Sequence, residues 1–179
     1  MMSQKSMQIA LGGIFSALCL AMMFFAGLMP FGSYVLPMAA GAMIMSIVVE
    51  LGVKPAMLVY ISVSILCLLL VPDRQAAMMF ALFFGYYPIA KQKLERLPGR
   101  VMEYICKLLL FSATAIAIYL AVIHLLGMTE AIEGMGEFGR LAPLILLGGG
   151  NIVFLLYDFA LTRYYTLYIE NLRPKLLRK

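Results

Sequence analysis

Long apolar runs, each bounded by short breaks, most constrain how this chain can fold. A helical run of about 20 apolar residues matches the thickness of the hydrocarbon core of a bilayer. Six such runs are predicted as helices, at about 8–29, 34–51, 56–71, 76–90, 104–127 and 141–162. The breaks between them carry proline, glycine or charged residues, which end helices. The sequence therefore predicts an all-α membrane protein in which residues 1–179 form a single six-helix bundle.

The composition indicates lipid as the main solvent of this chain. Of its 179 residues, 64% are hydrophobic and 13% are charged, whereas about 25% of the residues in a soluble domain are charged. The net charge of +5 comes from basic residues in the gaps between apolar runs, including a linker at 91–103 and a tail at 163–179. We therefore expect the lipid bilayer, and no nucleic acid, to be the partner of these charges.

The distribution of lysine and arginine predicts the orientation, because these residues are retained on the cytoplasmic side. With six spans, one side holds Lys5, Lys54, Lys91, Lys93, Arg96, Arg100, Lys107, Arg163, Arg173, Lys175, Arg178 and Lys179. The other side holds Arg74 and Arg140. Twelve basic residues against two predict that both termini are cytoplasmic.

Motifs that would give a membrane protein of this size an enzymatic activity are missing from the sequence. It contains no His-Glu-x-x-His zinc motif, no Gly-x-Ser-x-Gly nucleophile motif and no Walker A loop for ATP. Cys19, Cys67 and Cys106 lie in or at the edge of separate apolar runs and are interpreted as small hydrophobic residues. Asp158, inside the last run, is expected to pair with Arg163 or to extend towards the membrane surface. We expect a protein that is not an enzyme, with no metal and no cofactor.

Several polar residues in the outer half of the predicted bundle could converge around a solute. Those chosen from the residues alone are Asp73, Arg74, Tyr119, His124, Arg140 and Asn151. Asn151 follows Gly148-Gly149-Gly150, where a ligand can approach the backbone closely. Tyr119 could stack on a planar ligand. Each residue also has a structural alternative, such as a solvated loop pair, an interhelical hydrogen bond or helix packing, and the sequence leaves both open.

A stripe of small residues marks the first predicted helix. Ala10, Gly13, Ala17 and Ala21 are spaced by three, four and four residues, which places them on one helix face. Small residues let another helix approach closely in a membrane. The stripe therefore indicates either a docking site for a membrane partner or packing within this chain's own bundle.

Together these features resemble the substrate-binding S components of energy-coupling factor (ECF) transporters of prokaryotes. The resemblance lies in the chain length, the six hydrophobic spans with both ends inside, and Ala17-Leu-Cys-Leu-Ala21, which matches the Ala-x-x-x-Ala pattern of that family's first helix. It covers nearly the whole chain. It implies a multi-pass protein of the plasma membrane that captures a vitamin-like small molecule from outside.

The resemblance also implies partners and further site residues. The first helix would dock on a transmembrane T component driven by two ATPase subunits, which would supply the ATP chemistry that this chain lacks. Tyr34 joins the candidates for lining the pocket, because the first loop contributes to it in that family. The thiamine binders of the family have tryptophan-rich pockets, and this chain has no Trp, so the resemblance disfavours thiamine.

A function of another class explains the small-residue stripe equally well. A six-helix assembly subunit, such as the MreD type of cell-shape proteins, holds membrane partners together and needs no solute pocket. A solute that copurifies with the protein would separate the two readings.

Overall fold

A computed structural model describes residues 4–29, 31–96, 98–126 and 142–172. Every regular element in these ranges is helical and none is a strand, which confirms the predicted all-α class. Three of the described helical segments are long and apolar enough to cross a membrane, namely Gln8–Leu28, Gly32–Leu51 and Val53–Leu70. They coincide with the first three predicted spans. The count of six spans and the orientation of the termini stay predictions.

The described chain forms α-helices joined by short segments of other helical type. They are α1 (Gln4–Phe25) with a 3₁₀ turn at Ala26–Leu28, α2 (Gly32–Leu51), α3 (Val53–Leu70), α4 (Arg74–Met79) with a π-helical segment at Phe80–Phe84, α5 (Tyr87–Leu94), α6 (Arg100–Leu126), and α7 (Ala142–Leu167) with a π-helical segment at Tyr168–Leu172. The predicted linker at 91–103 is partly helical, because α5 ends at Leu94 and α6 begins at Arg100.

The fourth predicted span, residues 76–90, is a helix in pieces rather than one continuous α-helix. α4 passes into the π-helical segment Phe80–Phe84, and a turn separates that segment from α5. A π-helical segment shifts the backbone hydrogen-bond ladder by one residue. Here the hydroxyl of Tyr60, on α3, donates to the carbonyl of Ala81 at 2.6 Å. The interruption is thus supported by a side chain from a neighbouring helix.

Glycine and proline end the helices where the sequence predicts breaks. Gly52 separates α2 from α3 with φ +87, a conformation that L residues rarely adopt, and its N–H bonds to the carbonyl of Val48 at 3.1 Å. Pro72 follows α3 and has no N–H to continue the helix. Gly99, with φ +109, precedes α6, and its carbonyl accepts the N–H of Glu103 at 3.1 Å.

Contacts divide the chain into two compact units: Met1–Lys93 with Phe159–Lys179, and Leu94–Asp158. In the first unit, α1, α2 and α3 pack on one another, and α4 with its π-helical segment packs on α2 and α3. Gly12 on α1 faces α3, where a Cβ would make an ordinary van der Waals contact with Val59 Cγ2 at 3.5 Å. The core of this unit consists of Cys19, Met23, Ala26, Ala40, Ile44, Ile47, Val48, Ala56, Val63, Cys67, Val71, Ala76, Ala77, Phe80 and Ile89.

The second unit pairs α6 with the first part of α7. The rings of Phe111 and Phe154 stack with their centroids 4.8 Å apart. A Cβ at Gly150 would lie 3.3 Å from the Phe111 ring, so this glycine permits the close approach. At Gly148 and Gly149 a Cβ would meet nothing within 4 Å. Of the three consecutive glycines, the last therefore serves packing within the described structure.

We predict that Gly85→Ala destabilises the first unit, because its new Cβ would lie 2.6 Å from Tyr60 Cδ2 and 3.0 Å from the Phe80 carbonyl oxygen. Overpacking of this kind costs about 1–3 kcal/mol. The matched control is Gly13→Ala on α1, where a Cβ meets nothing within 4 Å. Thermal unfolding of the purified protein in detergent measures both variants. A melting temperature for G85A equal to that of the control would contradict the described packing.

Candidate functional site

Asp73 caps the start of α4 and uses both of its carboxylate oxygens. Oδ1 accepts the backbone N–H of Ala76 at 3.0 Å, which satisfies one of the free donors at a helix start. Oδ2 accepts the hydroxyl of Ser33 at 2.5 Å. Because Ser33 lies in the first turn of α2, this bond ties the start of α2 to the start of α4.

Polar side chains beside Asp73 complete a small cluster. Gln75 Nε2 donates to the hydroxyl of Tyr34 at 3.1 Å, and the guanidinium of Arg74 donates to the carbonyl of Leu68. Arg74 and Gln75 are exposed, and Tyr34 is half exposed. The structure thus brings together Tyr34, Asp73 and Arg74, three of the predicted site residues. We call this group the polar end cluster: Ser33, Tyr34, Asp73, Arg74 and Gln75.

Asn151 lies on α7 in the second unit and has an unused acceptor. Its Nδ2 donates to the carbonyl of Leu147 at 2.9 Å. Its Oδ1 is buried and has no hydrogen-bond partner in the described structure. A buried polar atom without a partner is unusual in folded proteins, and among the described residues nothing donates to this oxygen.

The other three residues predicted to contact a solute are Tyr119, His124 and Arg140. Tyr119 and His124 fall within α6, for which the backbone is described at these positions but the two side chains are not. Arg140 lies outside the described residues. Their role in a pocket therefore stays a prediction.

α1 exposes all four small residues of the predicted docking stripe. Ala10, Gly13, Ala17 and Ala21 are each exposed. The buried face of α1 lies on the opposite side, at Gly12, Cys19 and Met23. Among the described helices of the first unit, none covers the stripe.

A buried lysine on α6 contacts three carboxylates in the second unit. Lys107 is 2% exposed, and its Nζ lies 2.6 Å from Glu103, 3.0 Å from Asp158 and 3.7 Å from Glu95. Its ammonium also lies 5.7 Å from the centre of the Tyr104 ring. Charges withdrawn from water need such partners, because burial of an isolated charge is costly. We call Lys107, Glu95, Glu103 and Asp158 the ion cluster.

The sequence prediction missed the ion cluster. Asp158 was expected to pair with Arg163 or to extend towards the membrane surface, but it is buried and accepts a hydrogen bond from Lys107. The guanidinium of Arg163 lies 5.3 Å from the centre of the Phe159 ring instead. The spacing of Glu103 and Lys107 by four residues was the available signal for their contact. The contact with Asp158 joins residues 51 positions apart and follows only from the packing of α6 on α7.

A second buried lysine lies in the first unit. Lys91, on α5, is 1% exposed and donates to the hydroxyl of Thr162 at 2.9 Å. Nearby along α7, the hydroxyl of Tyr164 is 2.6 Å from that of Ser46 on α2. These bonds join the last part of α7, which belongs to the first unit, to α5 and α2. Lys91 was predicted only as a cytoplasmic surface charge.

Comparisons with protein-family models, curated proteins and solved structures give no match for this chain. In the described ranges, no group of three or more His, Cys, Asp or Glu side chains is placed to hold a metal ion. The features of the described structure that bear on function are the polar end cluster, Asn151, the exposed stripe and the ion cluster.

We predict that Lys107→Met destabilises the protein by about 3–5 kcal/mol, because it removes a cation from a buried pair with Asp158. Glu95→Gln is the matched control. Glu95 is 40% exposed and lies 3.7 Å from the same Nζ, so its loss should cost at most about 1 kcal/mol. Thermal unfolding in detergent measures both variants. If the two melting temperatures fell equally, the buried pair would not be the dominant contact.

Proposed function

We propose that this protein is the substrate-binding subunit of an ATP-driven uptake system of the ECF type. In this proposal it captures a vitamin-like small molecule at the outer side of the membrane. It delivers the molecule by docking on a transmembrane T component that is driven by two ATPase subunits. The single observation that carries the proposal is the exposure of all four small residues on α1.

The docking step is supported by the two faces of α1. One face is buried against α2 and α3, and the other carries the strip of small residues from Ala10 to Ala21, about 16 Å long at 1.5 Å per residue. Small side chains allow two helix backbones to approach, and close van der Waals packing drives association between helices in lipid. A strip that the described chain leaves uncovered fits a helix of another subunit.

The capture step is supported by polar groups away from that strip. The polar end cluster lies where α1 leads into α2 and α3 leads into α4, at the far end of α1 from Ala10. Arg74 and Gln75 are exposed there and present donors. In the second unit, the buried Oδ1 of Asn151 offers an acceptor. The polar end cluster would recognise acceptors of a solute, and Asn151, in its own unit, would recognise a donor.

The requirement for partners follows from what the chain itself contains. Uptake against a gradient needs an energy source, and the sequence has no Walker A loop. The ATPase subunits would supply that energy through the docked T component. A scaffold of the MreD type would use the same strip but would bind no solute, so solute binding distinguishes the two functions.

We predict that Ala17→Phe/Ala21→Phe abolishes copurification with the T component and the ATPases. Two rings on the strip would separate the helix backbones that must approach. Leu18→Phe is the matched control, because Leu18 is 45% exposed and lies about 100° around the helix from Ala17. Affinity purification in mild detergent, with mass spectrometry of the recovered subunits, gives the result. ATPase recovery by A17F/A21F at the wild-type level would refute docking through this strip.

We predict that Asn151→Leu and Arg74→Ala each lower retention of the bound solute at least about tenfold, the effect of losing one hydrogen bond to a charged or buried group. Native mass spectrometry of the purified chain reports the retained small molecule. Thr166→Val is the control, because its hydroxyl, like the Asn151 amide, bonds only to a carbonyl four residues earlier, at 3.1 Å. Wild-type protein without any retained molecule would favour the scaffold.

A further inference from the structure

Between α5 and the first turn of α6, the acidic side chains contact a buried lysine, whereas the arginine side chains are exposed. Glu95 and Glu103 turn towards Lys107 in the ion cluster. Arg96 and Arg100 are exposed and have no hydrogen bond or ion pair within the described residues. Glu95 and Glu103 thus face Lys107 rather than the two arginines, and Arg96 and Arg100 are left as exposed cations without an acidic partner among the described residues.

Apolar side chains continue this surface along the first turns of α6. Val101 is 73% exposed, Met102 is 55% exposed and Tyr104 is 50% exposed. Tyrosine favours the boundary between hydrocarbon and headgroups, because its ring is apolar and its hydroxyl is polar. We call Arg96, Arg100, Val101, Met102 and Tyr104 the linker surface. It combines two exposed cationic side chains with three exposed apolar or aromatic side chains in one short stretch of the chain.

We propose that the linker surface binds anionic phospholipids. The guanidinium groups of Arg96 and Arg100 pair with headgroup phosphates, and Val101, Met102 and Tyr104 contact the adjoining acyl chains. Guanidinium groups bind phosphate oxygens through paired, charge-assisted hydrogen bonds. An acidic peptide or a free phosphate would pair with the guanidinium groups of the arginines but would leave the apolar side chains in water. A lipid satisfies both, and the three membrane-length helices of this chain place it where lipids are available.

The test measures lipid binding to the full chain, purified in detergent, by native mass spectrometry at low salt. Phosphatidylglycerol and phosphatidylcholine with identical acyl chains are titrated separately. Basic residues near an anionic lipid surface contribute a roughly fivefold gain in affinity each. Arg96→Gln/Arg100→Gln should therefore lower the affinity for phosphatidylglycerol about 30-fold and leave the affinity for phosphatidylcholine unchanged. Both side chains are exposed and unpaired in the described structure, so the melting temperature should not change.

The control variant removes the same number of charges elsewhere. Lys54→Gln/Arg163→Gln replaces two exposed basic residues outside the linker surface and should change the affinity for phosphatidylglycerol less than about twofold. An equal loss in both double variants would overturn the proposal, because net charge rather than this surface would explain binding. Displacement of the lipid by inorganic phosphate at equal concentration would also overturn it. The proposal would also be overturned if Arg96→Gln/Arg100→Gln weakened the binding of a hexaglutamate peptide but left the binding of phosphatidylglycerol unchanged.

Discussion

The need to pair backbone N–H and C=O groups within the chain governs this structure. A segment surrounded by apolar groups cannot leave these groups to water, and helices pair them internally. Where a helix begins or is interrupted, a side chain can supply the missing partner. Asp73 accepts the Ala76 N–H at the start of α4, and Tyr60 donates to the Ala81 carbonyl in the π-helical segment. These two polar side chains of the first unit thus lie where the backbone lacks a partner, and Asp73 also belongs to the polar end cluster.

Charge burial imposes a second constraint, with a consequence at the surface. Lys107 and Asp158 are both nearly buried, and each is stable there because the other is present. Glu95 and Glu103 join the same ammonium group. This arrangement removes the acidic side chains of the linker from competition for Arg96 and Arg100. Because Glu95 and Glu103 contact the buried Lys107, the exposed Arg96 and Arg100 have no acidic partner among the described residues.

α1 connects the packing of the first unit to its proposed function. Its buried face carries Cys19 and Met23 in the core. Its opposite face is apolar, and the described helices of the first unit leave it exposed. A helix that is apolar all round is suited to burial against protein on one side and against lipid or another subunit on the other. Among the described residues of the first unit, α1 thus carries the strip on the face that the core leaves exposed.

The sequence by itself determined that the chain is helical and where its breaks fall, because hydrophobic length, glycine and proline act locally. It also determined which face of α1 is small, since that depends only on helical spacing. The tertiary structure decided what depends on contacts between distant residues. The Lys107–Asp158 pair, the interruption supported by Tyr60 and the unpaired Oδ1 of Asn151 all follow from how helices pack. Packing decides which side chains meet, and no local pattern specifies it.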